Sequence, residues 1–187
     1  WLQIGGDMVG ISAGDDFGFS VSVSSNGGVV AGGAPYGDLS GIDAGYVRVF
    51  NFDSIANYWF QIGQDITGES SGDNFGHSIS LSDDGNIIAI GSPTNGWGYV
   101  RVYENISGSW IQLGQDIDGF YFSGVGFSVS INSDGNRLSV GYPGGGLNNG
   151  GLVKIYEFAF GNWIQIGEDI NSINSSENFG YSNSLNG

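Results

Sequence analysis

Carboxylates are the most abundant groups in this chain that could take part in chemistry. The 187 residues include 19 Asp and Glu but only 4 Lys and Arg, which gives a formal net charge of −15. Two carboxylates can hydrolyse a glycosidic bond when one lies in an apolar setting that raises its pKa. The acidic residues here lie in segments rich in Gly, Ser and Asn, so the sequence does not indicate such a pair.

Nucleophilic chemistry has few candidate groups. His77 is the single histidine and cysteine is absent, so no Cys–His pair, disulfide or thiolate metal site can form. His77 also occupies a repeat position that is aromatic elsewhere, at Phe19, Phe127 and Tyr181. We therefore expect a half-buried residue in an aromatic position rather than a catalytic base, and we do not expect an enzyme.

Composition also restricts the classes of partner. Phosphate-binding surfaces need clustered Lys and Arg, so the acidic charge argues against nucleic acid and anionic membranes. No apolar run approaches the ~18 residues of a membrane-spanning helix, so membrane insertion is not expected. Hydrophobic residues make up 40% of the chain and aromatic residues 14%, which is too apolar for a disordered acidic chain.

An internal repeat dominates the sequence. Four of the five tryptophans begin the blocks WLQIG, WFQIG, WIQLG and WIQIG, at Trp1, Trp59, Trp110 and Trp163. A second block reads FGFSVSVS, FGHSISLS, VGFSVSIN and FGYSNSLN. A third ends at the only prolines, Pro35, Pro93 and Pro143, and a fourth aligns three of the four basic residues, Arg48, Arg101 and Lys154. This recurrence predicts a repeat architecture.

Each block alternates with a period of two residues, and Gly, Asn and Asp separate the blocks. We interpret them as four strands per repeat: A (the Phe-Gly block), B (ending in Pro), C (with the basic residue) and D (the Trp block). Asn-Gly or Asp-Gly pairs between A and B indicate hairpins. The sequence therefore predicts an all-β protein of four-stranded antiparallel blades of the β-propeller type. A β-sandwich is the alternative, but it does not explain the repeat.

The repeat does not finish at either end. We divide the array into an orphan outer strand (1–8), three full blades (9–66, 67–117 and 118–170) and the start of a fourth (171–187). Three blades are fewer than a closed propeller usually has. We therefore expect either a piece of a longer chain or a subunit that associates with copies of itself through its incomplete end blades.

Phe17-Gly18 followed by Gly33-Ala34-Pro35 reads literally as an FG-GAP repeat, and the chain resembles the FG-GAP, integrin-α-like propeller repeats throughout. The resemblance implies an extracellular or cell-surface propeller used in adhesion and ligand recognition. Repeats of that family typically carry a calcium loop between the Phe-Gly and Gly-Ala-Pro blocks. Here that link is only Ser82-Asp83-Asp84-Gly85-Asn86, too short to supply the ~6–8 oxygens of a calcium site. We expect plain turns and no cofactor, with calcium as the alternative that the resemblance leaves open.

The B–C and D–A loops lie on one rim of the predicted blades, and this rim is acidic and variable. Exposed ligand contacts are expected there, and the candidates are Trp97, Tyr36, Tyr142, Asp38 and Asp43. The alternative is that the acids only solvate the loops. Asn105 and Asn174 begin N-glycosylation sequons. The repeated tryptophans are expected to pack, and the repeated basic residues to pair with the repeated aspartates.

These observations favour an extracellular structural or adhesion protein without enzymatic activity. Its expected partners are other copies of itself or the rest of a longer chain, and a glycan or surface protein at the rim. The alternative function is that of a lectin-like propeller module that binds carbohydrate.

Overall fold

The computed structural model describes residues 1–94 and 96–186, and this part of the chain is all-β. One short 3-10 segment, Leu147–Asn149, interrupts the strands. The first sheet contains β1 (Ser20–Val23), β2 (Val29–Ala34), β3 (Tyr46–Asp53), β4 (Tyr58–Gln61) and β5 (Ile66–Thr67). The second contains β6 (Ser78–Leu81), β7 (Ile87–Ser92), β8 (Tyr99–Ile106), β9 (Ser109–Gln112) and β10 (Ile117–Asp118). The third contains β11 (Val129–Ile131), β12 (Arg137–Tyr142), β13 (Leu152–Ala159) and β14 (Asn162–Asn171).

Strands that follow one another in the chain pair in an antiparallel manner within each sheet. Ser20 lies opposite Gly33, and Ala34 lies opposite Tyr46. Two-residue periodicity and tight A–B turns produce this meander; in the second sheet, Asp84 in the turn accepts the backbone N–H of Asn86 at 2.9 Å. The D block is less regular than a single strand, because both β4 and β5 pair with β3 and both β9 and β10 pair with β8.

The two end segments differ from the prediction. We expected an outer strand over 1–8 and an inner strand from Phe179, but the described residues there form no strand. A β-ladder requires a neighbouring strand, and within residues 1–94 and 96–186 no strand C precedes the first segment and no strand B follows the last. The segments still dock as their repeat equivalents do: the Trp59 indole donates to the Ile4 carbonyl at 3.1 Å, and Leu185 N–H donates to Ser130 Oγ at 2.9 Å.

A row of serines joins each sheet to the next. Ser20 Oγ donates to the Gly76 carbonyl at 2.6 Å, and Ser78 Oγ donates to the Gly126 carbonyl at 2.7 Å. Strands β1 and β6 also meet directly, because Leu81 N–H donates to Ser22 Oγ at 2.9 Å. Strand A therefore turns its small serine face toward the following sheet.

The opposite face of strand A is bulky and packs against the preceding sheet. Ile79 and Leu81 of β6 lie in one core between the first and second sheets. Val129 and Ile131 of β11 lie in a second core between the second and third sheets. Each apolar core is thus shared by two sheets, so no sheet can bury its own bulky face.

Glycines set the spacing between sheets. A Cβ on Gly91 of β7 would lie 2.0 Å from the carbonyl oxygen of Gly126 in the next sheet. The same approach brings Gly33 to Gly76 and Gly141 to Gly180, at 2.1 and 2.0 Å. Gly76 and Gly126 have φ of 88° and 78°, which L side chains rarely adopt. The Gly of the Phe-Gly block and the Gly before Pro thus meet across the sheet interface.

Gly91→Ala should destabilise the protein because its methyl group would collide with backbone, which cannot move aside as a side chain can. We expect a loss of about 2 kcal/mol or more in the free energy of unfolding by urea titration. Gly6→Ala is the control, because nothing lies within 4 Å of its added Cβ. Equal stability of the two variants would contradict the role given to Gly91.

Candidate functional site

The loops that follow β2, β7 and β12 and those that precede β1, β6 and β11 are linked on one side of the molecule, here called the loop rim. Gly72 N–H donates to the Ile42 carbonyl at 2.8 Å, and Phe122 N–H donates to the Gly96 carbonyl at 3.0 Å. The rim was predicted to carry the exposed candidate residues.

Several rim carboxylates hold the loops in shape. Asp15 is buried and accepts the Tyr46 hydroxyl at 3.0 Å, and Asp73 accepts the Tyr99 hydroxyl at 2.8 Å. Asp38 accepts the backbone N–H of Asp43 at 2.9 Å. Asp38 also lines an open pocket of about 300 Å³ with Asp15 and Leu39. Within residues 1–94 and 96–186, no group of three acidic or histidine side chains has a metal-binding arrangement.

The three aromatic candidates have different surroundings. Trp97 is 66% exposed, and Tyr36 is 42% exposed with its ring against Phe19 at 6.2 Å. Tyr142 is only 1% exposed, and its hydroxyl lies 2.8 Å from that of Tyr156. The expectation that Tyr142 contacts a ligand is therefore wrong.

Tyr142 is buried because it replaces a strand C tyrosine. Tyr46 and Tyr99 begin strand C in the first two sheets and lie under Arg48 and Arg101, at 5.7 and 4.7 Å. Leu152 takes that place in the third sheet, and its cross-strand partner is Tyr142. The Tyr142 ring lies 5.6 Å from the Lys154 ammonium, so one tyrosine of each cross-strand pair supports the cation.

The three repeated basic residues pair with the repeated aspartates. Arg48 binds Asp65 through two hydrogen bonds of 2.8 and 3.3 Å. Arg101 binds Asp116 at 2.8 and 2.7 Å. Arg101 also lies 2.8 Å from Glu69, while Lys154 lies 3.5 Å from Asp169.

A glutamine holds each of these aspartates from the other side. Gln61, Gln112 and Gln165 donate to Asp65, Asp116 and Asp169 at 2.7–2.8 Å. Hydrogen bonds from Arg101, and then the charge of Arg101 and a hydrogen bond from Gln112, hold the pKa of Asp116 below its ordinary value of 3.8 against the opposing effect of burial.

The repeated tryptophans pack between successive D blocks. The indole of Trp110 donates to the Ile62 carbonyl at 3.0 Å, and that of Trp163 donates to the Leu113 carbonyl at 2.8 Å. Gln64 adds a two-point contact with the Trp110 backbone, at 2.7 and 3.2 Å. Trp59 makes the matching contact with the first block, and Trp1 is fully exposed.

The prolines and sequon residues lie at the ends of elements. Pro35 and Pro143 follow directly after β2 and β12, and Pro93 follows β7. Asn105 lies near the end of β8 and is half-buried, with its side chain accepting Gly108 N–H at 2.8 Å. Asn174 is exposed beside Glu177.

One aromatic cluster on the rim is absent from the sequence-based candidates. Phe120, Tyr121 and Phe122 stand in a row before β11 and are 45%, 61% and 64% exposed. The signal in the sequence was three consecutive aromatic residues in a loop that has no aromatic residue in the two earlier repeats. With Asn149, Ser176 and Asn178 they line a pocket of about 420 Å³.

Comparison with known proteins shows that the chain is similar to a number of solved structures, including the following two. The first is a Bacteroides fragilis protein assigned as a 6-phosphogluconolactonase, at 17% identity and a TM-score of 0.54, covering 81% of this chain and 38% of that one. The second is hydrazine synthase from Kuenenia stuttgartiensis, at 16% identity and a TM-score of 0.52, covering 81% and 36%. This chain therefore spans little more than a third of either protein. No family model matches, and no curated protein matches.

These similarities show a β-propeller-like fold and correct one expectation. We expected no enzyme, but a protein assigned as an enzyme shares this fold. The expectation is therefore wrong: it rested on the lack of a Cys–His pair, which does not exclude catalysis. Within the described residues, no helix is both long and apolar enough to span a membrane.

Arg101→Ala should be strongly destabilising because it leaves the half-buried Asp116 without its cation. We expect a loss of about 3 kcal/mol in the free energy of unfolding at pH 7. Arg137→Ala is the matched control, since Arg137 pairs with Glu157 at 3.1 Å with both side chains largely exposed, and should cost less than about 1 kcal/mol.

The same pair gives a pH dependence of defined sign. Because the folded state lowers the pKa of Asp116, the stability it contributes is present above pH 3.8 and is lost as acid protonates it. The stability difference between wild type and Arg101→Ala should therefore shrink below about pH 4. A constant difference down to pH 2 would contradict the pairing.

His77 lies between the rings of Phe19 and Phe127, at 5.0 and 4.6 Å, and burial lowers its pKa below 6.5. The unfolded chain then binds the proton more readily, so wild-type stability should fall as the pH drops below 6.5. His77→Phe should remove this slope between pH 7 and pH 5 in thermal melts. If the stability of His77→Phe changed with pH as steeply as that of wild type, the pH dependence would come from groups other than His77.

Proposed function

We propose that this chain belongs to an extracellular structural or adhesion protein of the FG-GAP, β-propeller type. In this proposal each sheet is a blade, so the chain carries three full blades and the end segments of two more. The bulky face of the first sheet is covered in the assembled protein by the serine face of another repeat, which a second copy of this chain supplies.

The observation that carries the proposal is a difference in exposure at equivalent repeat positions. Val21 of β1 is 66% exposed, whereas Ile79 of β6 and Val129 of β11 are 9% and 8% exposed. Val23 is 55% exposed, whereas its equivalents, Leu81 and Ile131, are 7% and 5% exposed. A preceding sheet covers these positions in the second and third sheets, whereas no sheet precedes the first one within the residues that the structure describes.

The internal interfaces indicate what fits this face. In both, a serine of one strand A accepts a backbone N–H of the next strand A, as Ser22 accepts that of Leu81, and the bulky side chains of that next strand are buried against the preceding sheet. The segment from Phe179 presents a similar small face, with exposed Ser182 and Ser184 at the repeat positions of Ser20 and Ser22. A second copy could therefore place its Val21 and Val23 against this segment in the register of the internal interfaces.

The extracellular, adhesive part of the proposal rests on the FG-GAP resemblance. The close approach of Gly33 and Gly76 gives a physical role to the two glycines that the motif repeats. The loop rim supplies variable loops of the kind that usually carry recognition. The two similar structures support the propeller architecture alone, because their identity to this chain is low.

Sedimentation velocity on the purified 187-residue chain tests the proposal. Wild type should sediment as a concentration-dependent multiple of 19.6 kDa. Val21→Asp with Val23→Asp should be monomeric, because two carboxylates would be buried in the interface. Their thermal stability as monomers should change little, since both side chains are more than half exposed in the single chain.

Ile55→Asp is the matched control, because Ile55 is 97% exposed in the β3–β4 turn and away from this face. It should associate as wild type does. A wild-type chain that stays monomeric at all accessible concentrations would contradict the assignment of a second copy as the covering partner.

A further inference from the structure

The pocket beside the aromatic row has no role in the proposed assembly, and it differs from its repeat equivalents. It lies on the loop rim, between the loop that precedes β11 and the segment that follows β14. We propose that this pocket binds a neutral carbohydrate, with Phe122 and Tyr121 as the stacking surface.

Phe122 stands at a repeat position that is glycine in the two earlier loops. The backbone N–H of Gly72 donates across the rim to Ile42, and that of Phe122 donates in the same way to Gly96. Gly14 and Gly72 adopt φ of 97° and 81°, and Phe122 keeps the left-handed conformation at φ 60°. A bulky residue rarely adopts this conformation, because its Cβ crowds the backbone.

Packing within the chain does not compensate for this strain. Phe122 is 64% exposed, so most of its ring contributes nothing to a core. The loop requires the left-handed conformation, which Ser176 also adopts at φ 59°, but it does not require a bulky residue there. Because this unneeded phenylalanine also lines a pocket, unlike Phe160, it points to a ligand that uses the ring.

The surrounding residues hold the aromatic row in place. The Tyr121 and Phe122 rings lie 4.2 Å apart at 52°, so together they form an angled surface. Phe120 stacks on buried Tyr142 with ring centroids 6.3 Å apart. Ser123 accepts the Phe120 N–H at 3.2 Å, and its carbonyl accepts the Gly144 N–H at 3.0 Å. The stacking surface is therefore anchored to the third sheet.

The other wall of the pocket is polar and uncharged. Asn149, Ser176 and Asn178 line it, and all three residues are exposed. Amide and hydroxyl groups can both donate and accept hydrogen bonds. Ring faces opposite such groups match a sugar, which has an apolar C–H face and hydroxyls at its edge.

The lack of positive charge at the pocket favours a neutral sugar over an anionic one. No basic residue lines the pocket, and the chain carries a formal net charge of −15. Each of Arg48, Arg101, Arg137 and Lys154 pairs with a carboxylate elsewhere. Sialylated or phosphorylated sugars would therefore meet repulsion with no compensating cation. A quaternary ammonium ligand would use the rings but leave the polar wall unused.

Phe122→Gly separates a binding role from a structural one. It restores the residue found in the earlier repeats, so the melting temperature should stay the same or rise by about 2–4 °C. Phe160→Gly is the matched control: Phe160 is 98% exposed with φ 53°, and it lies in the β13–β14 turn, away from the loop rim.

The binding measurement is a glycan array of neutral and sialylated oligosaccharides, followed by calorimetric titration with the neutral oligosaccharide of strongest signal and with choline. Wild type and Phe160→Gly should bind the same neutral oligosaccharide, and Phe122→Gly should bind it at least about tenfold more weakly. Absence of neutral glycan binding, preference for sialylated glycans or choline, or unchanged affinity in Phe122→Gly would overturn the proposal. Phe122→Gly changes none of the residues proposed for self-association, Val21, Val23, Ser182 and Ser184, so loss of glycan binding and loss of association are separate outcomes.

Discussion

Neighbouring sheets approach so closely that a glycine carbonyl of one lies against a glycine of the other, and only hydrogen fits between them. At Gly91 and Gly126 a Cβ would lie 2.0 Å from the oxygen. This approach brings Ser78 within hydrogen-bonding distance of the same carbonyl. It also lets the bulky side chains of one strand A pack against the preceding sheet, which buries them. Each apolar core therefore forms only where two neighbouring sheets pack together.

An asymmetric sheet has a consequence at the ends of an array. Each sheet has a small face on one side and a bulky face on the other. Each sheet therefore covers the bulky face of the following sheet but not its own. The first sheet supports the second but leaves Val21 and Val23 exposed. The outer strands are fixed by a different set of contacts, in which Arg101 joins Asp116 over the ring of Tyr99. Glu69, which pairs with Arg101, and Ile62, whose carbonyl accepts the Trp110 indole, follow β5 and β4 and so join these contacts to the preceding sheet.

The periodic features were predictable from sequence because the same residue types recur at the same positions of each repeat. The alternation of residues gave the strands, and the shared position of Arg48, Arg101 and Lys154 indicated a recurring polar contact. Departures from the repeat were harder to predict. Tyr142 was predicted to lie in an exposed loop. Its burial could not be predicted, because it depends on the cross-strand pairing of Tyr142 in β12 with Leu152 in β13. The end segments kept the strand pattern, but a ladder needs a partner that the pattern does not supply.

The aromatic row is another departure from the repeat that was hard to predict from sequence. The loop from Ile117 to Val125 is one residue shorter than the preceding loop from Ile66 to Phe75. The equivalence of Phe122 with Gly72 is therefore clear only from their hydrogen bonds. The exclusion of an enzyme failed for another reason, since a fold does not determine the chemistry of its loops.

Hydrogen exchange of the β1 amides as a function of protein concentration tests the central claim most directly. If another copy covers the bulky face of the first sheet, Ser20–Val23 should exchange slowly when the protein is concentrated and much faster on dilution, while β6 stays protected throughout. Equal protection of β1 and β6 at every concentration would show that the first sheet needs no covering partner, and would contradict the account.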